Sequence, residues 1–191
     1  MSRRRLLMAL GLVALIAVIA IGISQAPHSS THEPPAPTLA QAQADLRGSP
    51  PALASLHAQA DALLGGGVKA VRARLAALRG YRVVINYWGS WCPPCQGEFP
   101  IFERVSAHDG RRIAFLAIDS HDEAGPARSF LSRHPVTYPS YTDPSGSVLT
   151  ALGLAVGLPA TAFYTPSGKM FVYQGAFESD AALEQAIRLY T

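Results

Sequence analysis

Residues 82–95 read RVVINYWGSWCPPC, and this stretch decides the fold. Its apolar run VVI predicts a buried strand over residues 82–88. A short loop follows, and Cys92 opens a helix that should continue to about Ala107. Cys92 then lies at a helix N-terminus, where unpaired backbone N–H groups and the helix dipole favour its thiolate.

The second cysteine of this stretch is placed to complete a redox pair. Pro93 suits the first helical turn, where its missing N–H costs little. Cys95 lies three residues after Cys92, so both sulfur atoms share one helix face. The spacing predicts that Cys92 attacks a partner disulfide and that Cys95 resolves the mixed disulfide.

Other uses of a Cys-x-x-Cys pair stay open. A zinc site needs four ligands, and no second Cys-x-x-Cys or His-x-x-x-His pattern follows. A c-type haem site needs histidine directly after the second cysteine, where this chain has Gln96. A purely structural disulfide would close a very short loop, which is the weakest use of such a bond.

Strands and helices alternate after this stretch, and a hairpin follows them. The turn TPSG at residues 165–168 joins the two hairpin strands. The predicted elements are a strand at 113–118, a helix at 124–134, strands at 160–164 and 170–174, and a helix at 179–190 with Ser179 as N-cap and with Leu183, Ile187 and Leu189 as apolar residues. This order predicts an α/β fold with a mixed sheet covered by helices on both faces.

The folded domain should begin near residue 52 and run to residue 191. Two helices, at residues 52–64 and 68–78, form a helical N-terminal extension over 52–80. Residues 24–51 are rich in proline and alanine and lack hydrophobic periodicity, so they are predicted to be a disordered linker.

The N-terminus has the pattern of a membrane anchor. Residues 6–23 carry neither a charge nor a polar side chain, and as a helix they would span about 27 Å of bilayer. The basic tail, residues 1–5, predicts a cytoplasmic N-terminus and an extracytoplasmic domain on a single-pass protein of the cell membrane. Cleavage after the Ser-Gln-Ala site at residues 24–26 is the alternative, although Pro27 should hinder it.

The charge distribution argues against nucleic acid as a partner. The chain has 16 basic and 13 acidic residues, and the three arginines at positions 3–5 account for the whole surplus of +3. The remaining residues are balanced in charge. We therefore expect no nucleic-acid-binding surface.

Three motifs together resemble the thioredoxin superfamily, and within it the extracytoplasmic TlpA-like and ResA-like thiol–disulfide oxidoreductases. The first is WCPPC at residues 91–95, and the second is EFP at residues 98–100. The third is GLPAT at residues 157–161, which is similar to the cis-proline loop that faces the disulfide in this superfamily. The resemblance covers residues 83 to the end of the chain.

The resemblance implies a central sheet of four or five strands, no organic cofactor, and protein thiols or disulfides as substrates. It also implies a cis bond before Pro159. Thioredoxins carry an aspartate where this chain has Asn86, which leaves Glu98 as the candidate carboxylate beside the cysteines, unless Glu98 is only a surface acid. The residues expected to contact the substrate are Trp91, Pro93, Pro94, Leu158 and Pro159.

The resemblance and the anchor together favour a reductase recharged by a membrane electron-donor protein. A tether would keep the domain near such a donor. The alternatives are an oxidase that forms disulfides in exported proteins, a thiol peroxidase, or an inactive binding module of thioredoxin fold. Against a peroxidase, no cysteine stands outside the Cys-x-x-Cys pair.

Overall fold

The computed structural model describes residues 34–154 and 157–191. The predicted tail, the predicted anchor at residues 6–23 and the first third of the predicted linker lie outside these residues. Within them, no helix has both the length and the apolar character that crossing a membrane requires.

The described residues form one mixed sheet with helices on both faces, as the sequence predicts. The strands are β1 (Leu63–Leu64), β2 (Arg82–Trp88), β3 (Ile113–Ser120), β4 (Ser140–Asp143), β5 (Ala160–Tyr164) and β6 (Met170–Gln174), in the order β1-β4-β3-β2-β5-β6. Strands β1, β4, β3 and β2 run parallel to one another. Strand β5 pairs antiparallel with β2, and β6 pairs antiparallel with β5. Strand β2 is therefore central, and its carboxyl end leads directly to the two cysteines.

The sheet has six strands within the described ranges, so the prediction of four or five was too low. Strand β4 has the sequence SYTD, which is too short and polar to give a strand pattern, yet it pairs with β3. Strand β1 lies in a segment predicted to be helical. Asp61, with φ of 60°, interrupts that segment and lets Leu63 pair with Ser140.

The described part of the chain has seven helices, of which six cover the two faces of the sheet. They are α1 (Leu39–Asp45), α2 (Pro51–His57), α3 (Gly67–Ala77), α4 (Pro93–Asp109), α5 (Ala124–Leu131), α6 (Ser147–Ala151) and α7 (Asp180–Tyr190). Helices α4, α5 and α7 bury their apolar sides on one face of the sheet, and α2, α3 and α6 cover the other. Alternate residues of β2 serve the two faces, since Val84 packs with the first group and Val83 with the second.

Helix α1 corrects the predicted linker. It lies inside residues 24–51, and Thr38 and Gln41 form a capping box at its start. Ala42 and Leu46 are almost fully buried, because α1 packs against α4. Alanine and glutamine favour a helix, but the prolines around them obscured the pattern.

Two helices differ from their predictions, one in length and the other in the width of its buried side. Helix α5 ends at Leu131, three residues before the predicted end. On α7, Leu183 and Ile187 are buried as expected, whereas Leu189 is 66% exposed. The apolar stripe of α7 is therefore narrower than the sequence pattern indicates.

Candidate active site

Cys92 and Cys95 lie at the junction of β2 and α4. Cys92 is the N-cap of α4, and Pro93 occupies the first helical turn. The two sulfur atoms are joined in a disulfide, and the Sγ atom of Cys92 accepts a hydrogen bond from the backbone N–H of Cys95 at 3.3 Å. A backbone N–H and a helix N-terminus beside a cysteine sulfur both favour its thiolate.

The loop before Cys92 is packed tightly against the end of β3. A Cβ atom at Gly89 would lie 2.7 Å from the indole Nε1 of Trp91 and 3.1 Å from the carbonyl oxygen of Ser120, so only glycine fits. The indole N–H of Trp91 donates to that same carbonyl at 3.3 Å. Trp91 nevertheless remains 54% exposed, whereas Trp88 is fully buried in the core. Trp91 thus offers an apolar surface next to the disulfide.

Glu98 is buried on the inner side of α4, with 1% of its surface exposed. One carboxylate oxygen accepts a hydrogen bond from the side-chain amide of Asn86 at 2.8 Å. The other accepts from the backbone N–H of Phe177 at 3.0 Å. Burial raises the pKa of Glu98 to about 7, although both hydrogen bonds oppose that rise. Glu98 is therefore not a surface acid, and it can gain or lose a proton near neutral pH.

Asn86 replaces the usual aspartate without contributing a charge. It lies on β2 and is fully buried, and its amide orients the Glu98 carboxyl group. The buried carboxylate that Asn86 contacts is therefore on α4, the helix that also carries Cys95. The sequence pointed to Glu98 but could not establish its burial, because Phe177 contacts it from a distant part of the chain.

The loop at residues 157–159 is held against the hairpin. The Leu158–Pro159 peptide bond is cis, and Pro159 is buried. The side-chain amide of Gln174 donates to the carbonyl oxygens of Gly157 at 2.7 Å and Pro159 at 3.0 Å. Leu158 is half-buried and packs against the apolar cluster that contains both cysteines. Leu158 also packs against the cluster on the opposite face of the sheet, so it lies where the two clusters meet.

Two carboxyl groups at the end of β3 complete the surroundings of the loop. Asp119 is buried, and Asp122 accepts the backbone N–H of Ser90 at 2.5 Å. No local motif assigns either residue a role, although parallel strands bring their carboxyl ends to one edge of a sheet. The position of these two residues at the carboxyl end of a predicted parallel strand was the one signal in the sequence that pointed to them. His121 between them is exposed and has φ of 54°.

A possible metal-ligand group in the described residues lies on α4 and α7 and does not include the cysteines. Its members are His108, Asp109 and Glu184, with ligand atoms within 4.8 Å of one another. Arg112 pairs with Asp109 at 2.6 Å, and Arg188 pairs with Glu184 at 3.6 Å. These cations compete with a metal for both carboxylates.

The fold and the cysteine pair define a thioredoxin-fold protein with a Cys-x-x-Cys disulfide at the start of its central helix. Residues 60–176 match the family model described as Redoxin, which is more than half of the chain. The chain belongs to the redoxin family. The predicted membership of the thioredoxin superfamily, close to its ResA-like members, is thereby confirmed.

Curated relatives are similar to this chain over about half of their length. The chain is 30% identical over 100 residues to "Thiol-disulfide oxidoreductase ResA" of Bacillus subtilis, covering 52% of this chain and 55% of that protein. It is 34% identical over 88 residues to "Thiol:disulfide interchange protein DsbE homolog" of Paracoccus denitrificans, covering 46% of each. The chain thus spans about half the length of the curated relatives it matches.

Solved structures show the same fold. One is MTB dsbF in its mixed oxidized and reduced forms, with a TM-score of 0.55, 31% identity, and coverage of 59% of this chain and 83% of that chain. Another is a secreted Mycobacterium tuberculosis disulfide oxidoreductase homologous to E. coli DsbE. Its TM-score is 0.55 at 25% identity, with coverage of 60% of this chain and 85% of that chain.

Proposed function

We propose that this protein is a thiol–disulfide oxidoreductase that exchanges its Cys92–Cys95 disulfide with protein thiols and disulfides. The observation that carries the proposal is the position of the pair. The disulfide lies at the N-terminus of α4, with Cys92 as N-cap. Similar proteins whose names state thiol–disulfide chemistry support it.

The exchange would use the two cysteines in sequence. In the reduced protein, the Cys92 thiolate attacks one sulfur of a partner disulfide and releases the other as a thiolate. Cys95 then loses its proton and attacks the Cys92 sulfur. This step releases the second partner thiol and restores the Cys92–Cys95 disulfide. The partner gains two electrons, and the cysteine pair loses two.

Glu98 is the candidate proton acceptor for the second step. A group accepts and returns protons most efficiently when its pKa lies near the working pH. Burial raises the pKa of Glu98 to about 7, and hydrogen bonds from Asn86 and Phe177 orient its carboxyl group. Glu98 would take up the Cys95 proton during oxidation of the pair and return it during reduction.

Substrate contact is assigned to the surface around the disulfide. Trp91, Pro93 and Pro94 are exposed beside two cysteines that are only 3% and 1% exposed. An exposed apolar surface of this kind suits contact with a segment of a partner protein. Leu158 and Pro159 would contact the backbone of that segment, as the resemblance implies.

The proposed direction is reduction, in an extracytoplasmic compartment, with the anchor at residues 6–23 holding the protein in the cell membrane. An oxidising compartment supplies little free reductant. A membrane electron-donor protein would therefore recharge the pair, and the tether would raise its effective concentration. The oxidase reading predicts a much higher reduction potential for the same two cysteines.

An insulin reduction assay tests the activity. The full chain should accelerate precipitation of the insulin B chain by dithiothreitol, and Cys92→Ser should return the rate to the background. Glu103→Gln serves as the control, because Glu103 lies on the same helix without contacting the pair. A wild-type rate equal to the background would make the protein a binding module rather than an enzyme.

A further inference from the structure

The loop that carries Trp91 and Cys92 is attached by two hydrogen bonds to the end of β3 and the residues just after it. The backbone N–H of Ser90 donates to the Oδ2 atom of Asp122 at 2.5 Å. The indole of Trp91 donates to the Ser120 carbonyl at 3.3 Å. Because a hydrogen bond to an ionised acceptor is stronger than one to a neutral acceptor, Asp122 makes the stronger of these two attachments.

Asp119 lies three residues before Asp122 and is 1% exposed. It belongs to β3, with Trp88 of β2 and Thr142 of β4 as its strand partners. Its carboxyl group lies near that of Asp122, and their interaction raises the pKa of Asp119. Its Oδ1 atom has no hydrogen-bond partner among residues 34–154 and 157–191. A buried carboxylate with an unpartnered oxygen is costly, so this geometry suits a neutral carboxyl group.

The charged groups that face Asp119 are both acids. Asp122 follows it in the chain, and Asp143 ends the neighbouring strand β4. From β2 the neighbour is Trp88, which carries no charge. Burial, followed by the negative charges of Asp122 and Asp143, raises the pKa of Asp119 to about 8.

The negative charge of Asp143 acts on Asp119, but the Asp143 carboxylate is itself held by hydrogen bonds at the start of a helix. Its Oδ2 atom accepts the backbone N–H groups of Val148 and Leu149, both at 3.0 Å, and Oδ1 accepts the Ser147 hydroxyl at 3.2 Å. These bonds fix the start of α6. Asp119 makes no comparable bonds to a helix start, so capping does not explain its position.

We propose that Asp119 and Asp122 share one proton and that this pair fastens the loop of Trp91 and Cys92 to the end of β3. While the proton is present, the Asp119 hydroxyl donates to Asp122, whose carboxylate accepts the Ser90 N–H. When the proton leaves, two adjacent carboxylates repel each other, and Asp122 turns away from Ser90. The loop then loses the stronger of its two attachments to the end of β3 and keeps the bond from the Trp91 indole to the Ser120 carbonyl.

This role makes Asp119 a positioning residue for Cys92, and it rests on the proposed function. Cys92 is 3% exposed in the fastened state, so a partner sulfur has little access to it. Loss of the Ser90–Asp122 attachment would raise that access. The pair would therefore make the reactivity of the disulfide depend on pH through loop position, separately from ionisation of the thiol.

The test follows the Ser90 amide by NMR in the disulfide form of the full chain, from about pH 6 to about pH 10. In the wild-type chain, the amide proton should shift with a midpoint near 8, the pKa of Asp119. In Asp119→Asn the shift should vanish, because the asparagine amide donates to Asp122 at every pH. Asp45→Asn, the same change on an exposed residue of α1, should titrate as the wild type does.

A second variant covers the case in which Asp119→Asn does not fold. Asp122→Ala removes the acceptor and leaves the buried acid in place, so hydrogen exchange at Ser90 should become roughly tenfold faster at every pH. A wild-type Ser90 amide that does not titrate, or one that titrates unchanged in Asp119→Asn, overturns the proposal. Unchanged exchange in Asp122→Ala overturns it as well.

These readouts are independent of catalysis. If the Ser90 amide titrates but the chain reduces no insulin, the proton-sharing pair is supported and the proposed function is contradicted. If the chain reduces insulin but the titration of its Ser90 amide does not depend on Asp119, the proposed function is supported and the proton-sharing pair is contradicted.

Discussion

Two glutamates on α4 have similar proton affinities and different surroundings. Burial raises the pKa of both Glu98 and Glu103 to about 7. Glu98 lies one turn after Cys95 and is held by Asn86 and by the Phe177 backbone. Glu103 lies further along the helix, between Asp61, which raises its pKa, and His134, at 3.3 Å.

The different surroundings of Glu98 and Glu103 show that a raised pKa alone does not identify a catalytic group. Both carboxyl groups owe their raised pKa chiefly to burial. Only Glu98 lies within one helical turn of the redox pair, where i and i+3 side chains are neighbours. If the account is right, changes at the two positions affect stability alike and affect catalysis differently.

The largest effect should come from the cysteines at the start of α4. Cys92→Ser removes the nucleophile, so disulfide reduction should fall to the uncatalysed background. Cys95→Ser keeps the nucleophile and removes the resolving thiol, so mixed disulfides with partner proteins should accumulate on non-reducing gels. If Cys95 in the reduced chain is alkylated first and Cys92 stays inert, the two roles are reversed.

The next effect separates the two glutamates in catalysis. Glu98→Gln should lower the exchange rate about a hundredfold, the usual lower range for loss of a positioned proton acceptor. It should also remove the inflection near pH 7 that the pKa of Glu98 predicts in the wild-type pH–rate profile. Stopped-flow measurement of exchange with a model disulfide would follow both quantities.

Glu103→Gln is the matched control for that change. It makes the same substitution on the same helix at a carboxyl group with the same pKa of about 7. Its pH–rate profile should match that of the wild type. An inflection that disappears in Glu103→Gln and survives in Glu98→Gln would remove Glu98 from the mechanism.

The smallest expected effect is on the pH dependence of stability, and it should be the same for Glu98 and Glu103. The folded chain binds the Glu98 proton more tightly than the unfolded chain, because burial raises the pKa from 4.5 to about 7. The resulting contribution to the free energy of unfolding is complete below about pH 4.5 and is lost as the pH rises to about 7. It amounts to at most about 3 kcal/mol for each glutamate.

Denaturant unfolding at several pH values checks this prediction. Glu98→Gln and Glu103→Gln should each flatten the decline in stability between about pH 4.5 and about pH 7. A decline that stays as steep in both variants would show that neither carboxyl group is desolvated as the structure indicates.

The sequence predicted the elements that have a strong local pattern. Strands β2, β5 and β6 have the predicted bounds, because each has a buried or alternating run of residues next to a turn or a glycine. Strand β4 was missed, since the residues SYTD are stabilised by pairing with β3 rather than by their own pattern. Helix α1 was missed because prolines flank a short run of alanine and glutamine.

The candidate site was predicted only where its residues are close in sequence. The cysteines, Trp91 and Glu98 lie within eight residues, so one motif contained them all. The contact of Glu98 with Phe177 joins positions 79 residues apart, and that of Ser90 with Asp122 joins positions 32 apart. Such contacts depend on the fold, and no local pattern indicates them.

The most direct test of the account is the reduction potential of the Cys92–Cys95 pair. The full chain would be equilibrated with glutathione or dithiothreitol buffers, trapped with acid and alkylated, and its oxidised fraction measured by mass spectrometry. The account predicts a single two-electron transition at about −270 mV or lower, as in reducing members of this fold. A potential above about −180 mV would identify an oxidase. A disulfide that no buffer reduces in the folded chain would contradict the central claim that the pair is redox-active.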